Sequence, residues 1–196
     1  KEILGTTFWL KFMGSIAVLV LIAITLSFTE YDKQTNLLIL IICLSTFFQS
    51  FSALDYFFQS KVMSKYVVYS NIISLIIGGV LKIICVINEA SLLFFAVVIL
   101  IESAVFSFGL VHFYLRSDDF KFREYNFKLN RAKKLLKNSW PLILSGIMVT
   151  TYMKIDQIMI GNILGDFELG QYAAAVRISE SLYLIPVIIS SSFFPA

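Results

Sequence analysis

Residues 92–114 read LLFFAVVILIESAVFSFGLVHFY, an apolar run interrupted by one charge, Glu102. A helix rises 1.5 Å per residue, so about 20 residues cross the ~30 Å hydrocarbon layer of a bilayer. A run of this length and character reads as a membrane-crossing helix. The rest of the 196-residue chain repeats the pattern: 58% of it is hydrophobic and 15% charged, with a mean hydropathy of +0.83. A soluble domain carries closer to a quarter charged residues. The composition therefore reads as an all-α, polytopic helical membrane protein.

Working outward, six spans are expected: 12–28, 37–58, 66–87, 92–114, 140–163 and 171–192. The loops orient them. The connection 116–138 carries Arg116, Lys121, Arg123, Lys128, Arg131, Lys133, Lys134 and Lys137 against Asp118, Asp119 and Glu124. Lys61 and Lys65 flank the second and third spans without an acid between them. Loops rich in Lys and Arg stay on the cytoplasmic side. The turns near Glu30, Asn88-Glu89 and Asp166–Glu168 are poor in basic residues and are expected outside. Every loop fits the resulting alternation, and the chain enters its first span from the cytoplasm, near Lys1 and Lys11.

The basic connection is also the expected domain boundary. It divides an N-terminal lobe ending at 115 (four spans) from a C-terminal lobe beginning at 139 (two spans), with 116–138 as linker. Residues 125–137 are basic and partly amphipathic, and are expected to lie as a short helix on anionic lipid. Trp140 marks the interface, and Pro141 suits the first turn of the fifth span. Basic loops between spans are the norm, so nucleic acid is not an expected partner. The chain begins Lys1-Glu2 without an initiator Met and ends Phe194-Pro195-Ala196. It reads as an internal piece of a longer protein, with no cleavable signal peptide.

Charges inside the spans carry the functional information, because each costs roughly 2.5–3.5 kcal/mol at mid-membrane. Residues 152–180, YMKIDQIMIGNILGDFELGQYAAAVRISE, hold four in the two runs on either side of the acidic turn at Asp166–Glu168: Lys154, Asp156, Arg177 and Glu180. With the turn centred near Phe167, Asp156 and Arg177 fall at similar depth, as do Lys154 and Glu180. Two cross-helix pairs are thus permitted, and Arg177 and Glu180 are i,i+3 neighbours. The four charges either lock the two helices together or line a hydrated cavity that holds an anionic headgroup or carries protons. Glu102 lies about 15 Å deep with no partner on its own helix. It is a candidate for proton or ion coupling, or a partner for a helix beyond this stretch. Lys82 is expected to snorkel to the outer interface, and Asp55 to sit at the inner one near Lys61. Gln49, Asn71 and Ser74 are candidate interhelical hydrogen-bonding residues. Gly78, Gly79, Gly146 and Gly161 fit close helix packing, and Pro186 is expected to kink the last span. Cys43 and Cys85 lie inside apolar runs and read as small buried hydrophobes, outside any disulfide framework.

Enzyme motifs are absent. The sequence has no Walker A loop, no G-x-S-x-G, no H-E-x-x-H and no Cys/His metal spacing, and its outer loops are too short for a catalytic domain. The expectation is a protein that is not an enzyme and needs no cofactor or metal.

Two segments carry a family resemblance. Tyr152-Met153-Lys154-Ile155-Asp156-Gln157-Ile158-Met159-Ile160-Gly161 and Gly170-Gln171-Tyr172-Ala173-Ala174-Ala175-Val176-Arg177-Ile178-Ser179-Glu180 resemble polysaccharide biosynthesis proteins of the O-antigen flippase (Wzx-like) type. That group lies within the multidrug/oligosaccharidyl-lipid/polysaccharide (MOP) exporter superfamily, which is MATE-like. Pro186, Phe193-Phe194-Pro195, and Phe57-Phe58-Gln59-Ser60-Lys61 with Lys65-Tyr66 continue the likeness. The resemblance implies that the six spans are the third to eighth of a two-lobed transporter in the bacterial inner (plasma) membrane. It implies alternating-access flipping of an undecaprenyl-pyrophosphate-linked oligosaccharide, with Lys154 and Arg177 gripping phosphate and Asp156 and Glu180 orienting them or relaying ions. Implied partners are membrane lipid, H+ or Na+, and polysaccharide polymerase and chain-length proteins. The competing expectation is a MATE-type multidrug or cation antiporter, which would need an acidic cavity.

Overall fold

The computed structural model describes residues 2–29, 32–116 and 129–182. These form helices α1 (Glu2–Phe28), α2 (Lys33–Gln49), α3 (Ala53–Ser60), α4 (Lys65–Ile87), α5 (Leu92–Leu115), α6 (Leu129–Leu164) and α7 (Asp166–Leu182), with a 3₁₀ turn at Ser50–Ser52 joining α2 to α3. There is no strand among the described residues. Glu30, residues 117–128 of the basic connection, Pro186 and the Phe193-Phe194-Pro195 end lie outside them.

Four stretches are long and apolar enough to cross a bilayer: Leu4–Phe28, Lys33–Ser60, Lys65–Ile87 and Leu92–Leu115. The third and fourth coincide with expectation to within a residue. The first does not, because α1 begins ten residues before the expected span. Lys11 therefore lies inside the helix and not before it. The segments expected as the fifth and sixth spans form parts of α6 and α7 and do not meet the same measure among the described residues. Charged residues lower the apolarity of α6, and the described part of α7 is only 17 residues, about 26 Å. Residues 129–137 are not a separate surface helix either. They continue unbroken into α6, and Pro141 sits in the helix interior. A 36-residue helix is about 54 Å long, well over the ~30 Å of hydrocarbon, so its basic first turns extend past the apolar layer.

The chain divides into two compact units, Lys1–Leu135 and Leu136–Ala196, and the division falls within the stretch read as a linker. In the first unit, α5 packs against α4, α2 and α3. Lipid offers no hydrophobic drive between helices, so close backbone approach and interhelical hydrogen bonds hold them. The sequence supplies both at four-residue spacing on α4: Ser70, Ser74 and Gly78 are buried on one face. A Cβ on Gly109 of α5 would come within 2.7 Å of Ser70 Oγ, so only glycine admits this approach. The Ser74 hydroxyl donates to the Glu102 carbonyl at 2.6 Å. At one end of the unit, Leu54, Phe58, Leu110 and Tyr114 form a buried cluster, closed over by Leu4, Tyr66 and Phe113 among others. The outward faces carry large apolar residues such as Ile72, Ile76 and Ile83, as a lipid-facing surface requires.

The second span is not one α-helix. At its 3₁₀ turn, Ser50 N–H bonds the Phe47 carbonyl and Ala53 N–H bonds the Ser50 carbonyl, three residues back instead of four. Such a slip disturbs the carbonyl ladder within the membrane. Ser107 of α5 compensates: its hydroxyl lies 2.8 Å from the Phe48 carbonyl and 2.9 Å from that of Ser103, and shares its proton between them.

Candidate functional site

The charged hairpin is built by a one-residue turn. Gly165 has φ +96°, a left-handed conformation open to glycine at little cost. Its N–H bonds the Ile160 carbonyl at 3.3 Å, ending α6, and its carbonyl accepts from Leu169 N–H at 3.1 Å, starting α7. Asp166 and Glu168 occupy the first turn of α7, where carboxylates complement the helix dipole. A Cβ on Gly161 would lie 3.1 Å from Leu169 Cδ2, so the two helices leave the turn in close contact.

This turn shifts the register. The pairing of Asp156 with Arg177 assumed a centre near Phe167, but the chain reverses at Gly165, two residues earlier. Near the turn, Gly161 meets Leu169 and Asp156 meets Tyr172, both α7 partners lying nearer the turn than the wider reversal places them. Asp156 accepts a hydrogen bond from the Tyr172 hydroxyl at Oδ2, and one from Gln157 N–H at Oδ1, 2.8 Å long. Among the described residues neither Asp156–Arg177 nor Lys154–Glu180 forms an ion pair. Lys154 instead lines an open cleft of about 390 Å³ with Gln157, Asn162, Asp166 and Leu169. Arg177 is exposed on α7, one turn before the half-buried Glu180. In a background with Cys43 and Cys85 replaced by alanine, cysteines at 156 and 172 are expected to join through a short bifunctional thiol reagent, and cysteines at 156 and 177 are not. The opposite pattern would restore the wider turn.

Glu102 is not solitary. Lys82 Nζ lies 2.7 Å from Glu102 Oε2, joining α4 to α5. The cause is helix geometry. Side chains lean toward the N-terminus of their own helix. On antiparallel neighbours that lean carries Lys82 away from the connecting turn and Glu102 toward it, so the two converge. Gly78 makes room, since a Cβ there would lie 2.8 Å from Glu102 Cδ. Lys82 therefore points inward to a carboxylate and does not snorkel outward. Asp55 accepts from Gln59 Nε2 at 2.8 Å, one turn on in the same helix. Cys43 and Cys85 are free thiols, the first buried and the second partly so.

The sequence reading passed over Lys11. Its ammonium donates to Ser52 Oγ at 2.7 Å and sits 4.9 Å from the Tyr56 ring centroid. Beside it opens a cleft of about 310 Å³, lined by Gly14, Ser15, Thr46, Gln49, Ser50 and Ser52. The available signal was the uninterrupted helical stretch from Glu2, which places Lys11 seven residues past the start of the span Leu4–Phe28.

Comparison with curated proteins and with solved structures finds no match. The family model described as polysaccharide biosynthesis protein matches residues 1–196, and the chain belongs to that family.

Proposed function

We propose that this membrane protein carries a lipid-linked oligosaccharide, borne on undecaprenyl pyrophosphate, across the bacterial inner membrane by alternating access between two helical lobes. The observation that carries the reading is the electrostatics of the hairpin. Asp156 is held by Tyr172, and Lys154 and Arg177 form no ion pair among the described residues. Lys154 feels only the more distant Asp156 and Asp166 carboxylates, and Arg177 is exposed, so both can take an anion from elsewhere, which the phosphates of a lipid-linked saccharide supply. Glu180 and Asp156 are the carboxylates left for proton or sodium coupling on the hairpin. In this reading the protein is not an enzyme, and it works beside polysaccharide polymerase and chain-length proteins. A multidrug or cation antiporter would place acids where the cleft beside Ser15 and Ser52 places Lys11.

The test is reconstitution of the intact protein in vesicles with a fluorescently labelled lipid-linked oligosaccharide. On addition of a membrane-impermeant quencher, protein-free vesicles should lose about half the signal, and protein-bearing vesicles nearly all of it. Equal loss in both, with uptake of a cationic dye by the protein-bearing vesicles, would overturn the proposal in favour of an antiporter.

A further inference from the structure

We propose that the cleft around Lys11 is a binding site for an anionic phosphate ester carried on a lipid. Lys11 lies seven residues into the span Leu4–Phe28, about 10 Å along the helix. Its side chain is partly buried, and a partly buried ammonium needs compensation. One of its three donors is spent on Ser52 Oγ, and the Tyr56 ring face takes a share of the charge. No carboxylate lies within ion-pairing distance of Lys11 among the described residues. Asp55 is the acid in electrostatic reach, and its Oδ1 is taken by Gln59.

The surroundings are those of an oxyanion site. The hydroxyls of Ser15 and Thr46 are spent on the Phe12 and Cys43 carbonyls, and Ser50 lies against Ser15, which leaves the Ser52 hydroxyl and the Gln49 amide to donate, and no acid lines the cleft. A cationic ligand would be repelled by Lys11. A neutral one would leave the ammonium with only Ser52 Oγ, the Tyr56 ring and the more distant Asp55 carboxylate. A phosphate oxygen answers the charge and can accept from the Ser52 hydroxyl and the Gln49 amide. The 3₁₀ turn is what brings Ser50 and Ser52 to the cleft together, with Ser50 3.3 Å from Ser15 across the helix pair. Gly14 keeps the floor open: a Cβ there meets no atom within 4 Å. The ligand's source is either the polyprenyl cargo, an identification that rests on the transport reading, or the headgroup of an ordinary anionic phospholipid.

Native mass spectrometry of the intact, detergent-purified protein separates these sources. One arm offers undecaprenyl phosphate and the other phosphatidylglycerol. Lys11→Ala should weaken retention about tenfold or more, the scale of one charge-assisted contact, while Lys11→Arg keeps it. Gly14→Leu should weaken it as well, by filling the cleft while leaving the Lys11–Ser52 bond intact. That variant guards against misreading a folding defect. Lys11-dependent retention of the polyprenyl phosphate alone supports the site and assigns it to the cargo. Dependence in both arms supports a general lipid-phosphate site. Equal retention by wild type, Lys11→Ala and Gly14→Leu in both arms overturns the proposal. Should the vesicle assay fail while Lys11 dependence holds, the transport reading falls and the site stands.

Discussion

Arg177→Ala abolishes cell-surface polysaccharide while the protein remains in the membrane at its wild-type level. The two halves of this expectation have different causes. If Arg177 neutralised Asp156, its removal would strand a carboxylate in the hairpin, and the protein would be lost to misfolding and proteolysis. Asp156 is instead satisfied by Tyr172 and by the Gln157 amide, so it loses nothing when Arg177 is removed. The side chain is exposed on α7, where its guanidinium can offer a phosphate two parallel hydrogen bonds. A charge-assisted contact of that kind is worth roughly 1.5–3 kcal/mol, or about ten- to a hundredfold in affinity. Arg177→Lys should recover part of the output, because an ammonium keeps the charge but not the fork. Immunoblots of isolated membranes and surface-polysaccharide gels measure the two halves separately. Normal polysaccharide from Arg177→Ala would remove Arg177 from the substrate site, and joint loss of polysaccharide and protein would return it to a locking role.

What could be read from the sequence follows from the range of the physics involved. The spans at α4 and α5 were legible because their ends are set locally, by apolar runs meeting Lys65, Asn88-Glu89 and Arg116. The start of α1 was not, because a lysine within an apolar run was read as the run's end; a neighbouring helix with hydroxyls at the right depth makes it tolerable. The hairpin's composition was legible, but its pairing was not. Depth matching multiplies any error in the turn by two, and Gly165 allowed a tighter reversal than the acidic segment implied. The 3₁₀ turn left no local signal, since it is stabilised by Ser107, more than fifty residues away in sequence.

Glu102 shows the same limit and yields the second large expectation. Counting residues placed it near the midplane without a partner, whereas the lean of helical side chains joins it to Lys82. The two ends of this bond are unequal. Lys82 is five residues from the end of α4, about 7.5 Å from the interface, and is 44% exposed. Released by Glu102→Ala, it can turn outward and snorkel, so that variant should cost little, about 1 kcal/mol. Glu102 is ten residues into α5 and 21% exposed, too deep and too short to reach either surface. Released by Lys82→Ala, it must stay charged in hydrocarbon or take up a proton, and the cost should approach 3 kcal/mol. Removing both at once, as Lys82→Met with Glu102→Leu, should bring stability back near wild type, because apolar replacement of an ion pair is often neutral. Thermal unfolding of the detergent-solubilised protein reads all three variants, and the double-mutant cycle isolates the pair from its surroundings. Equal losses from the two single changes, adding in the double, would mean that the charges act independently and that Gly78 is small for another reason. A severe Lys82→Ala defect relieved by Glu102→Leu would identify the pair as the electrostatic clasp between α4 and α5.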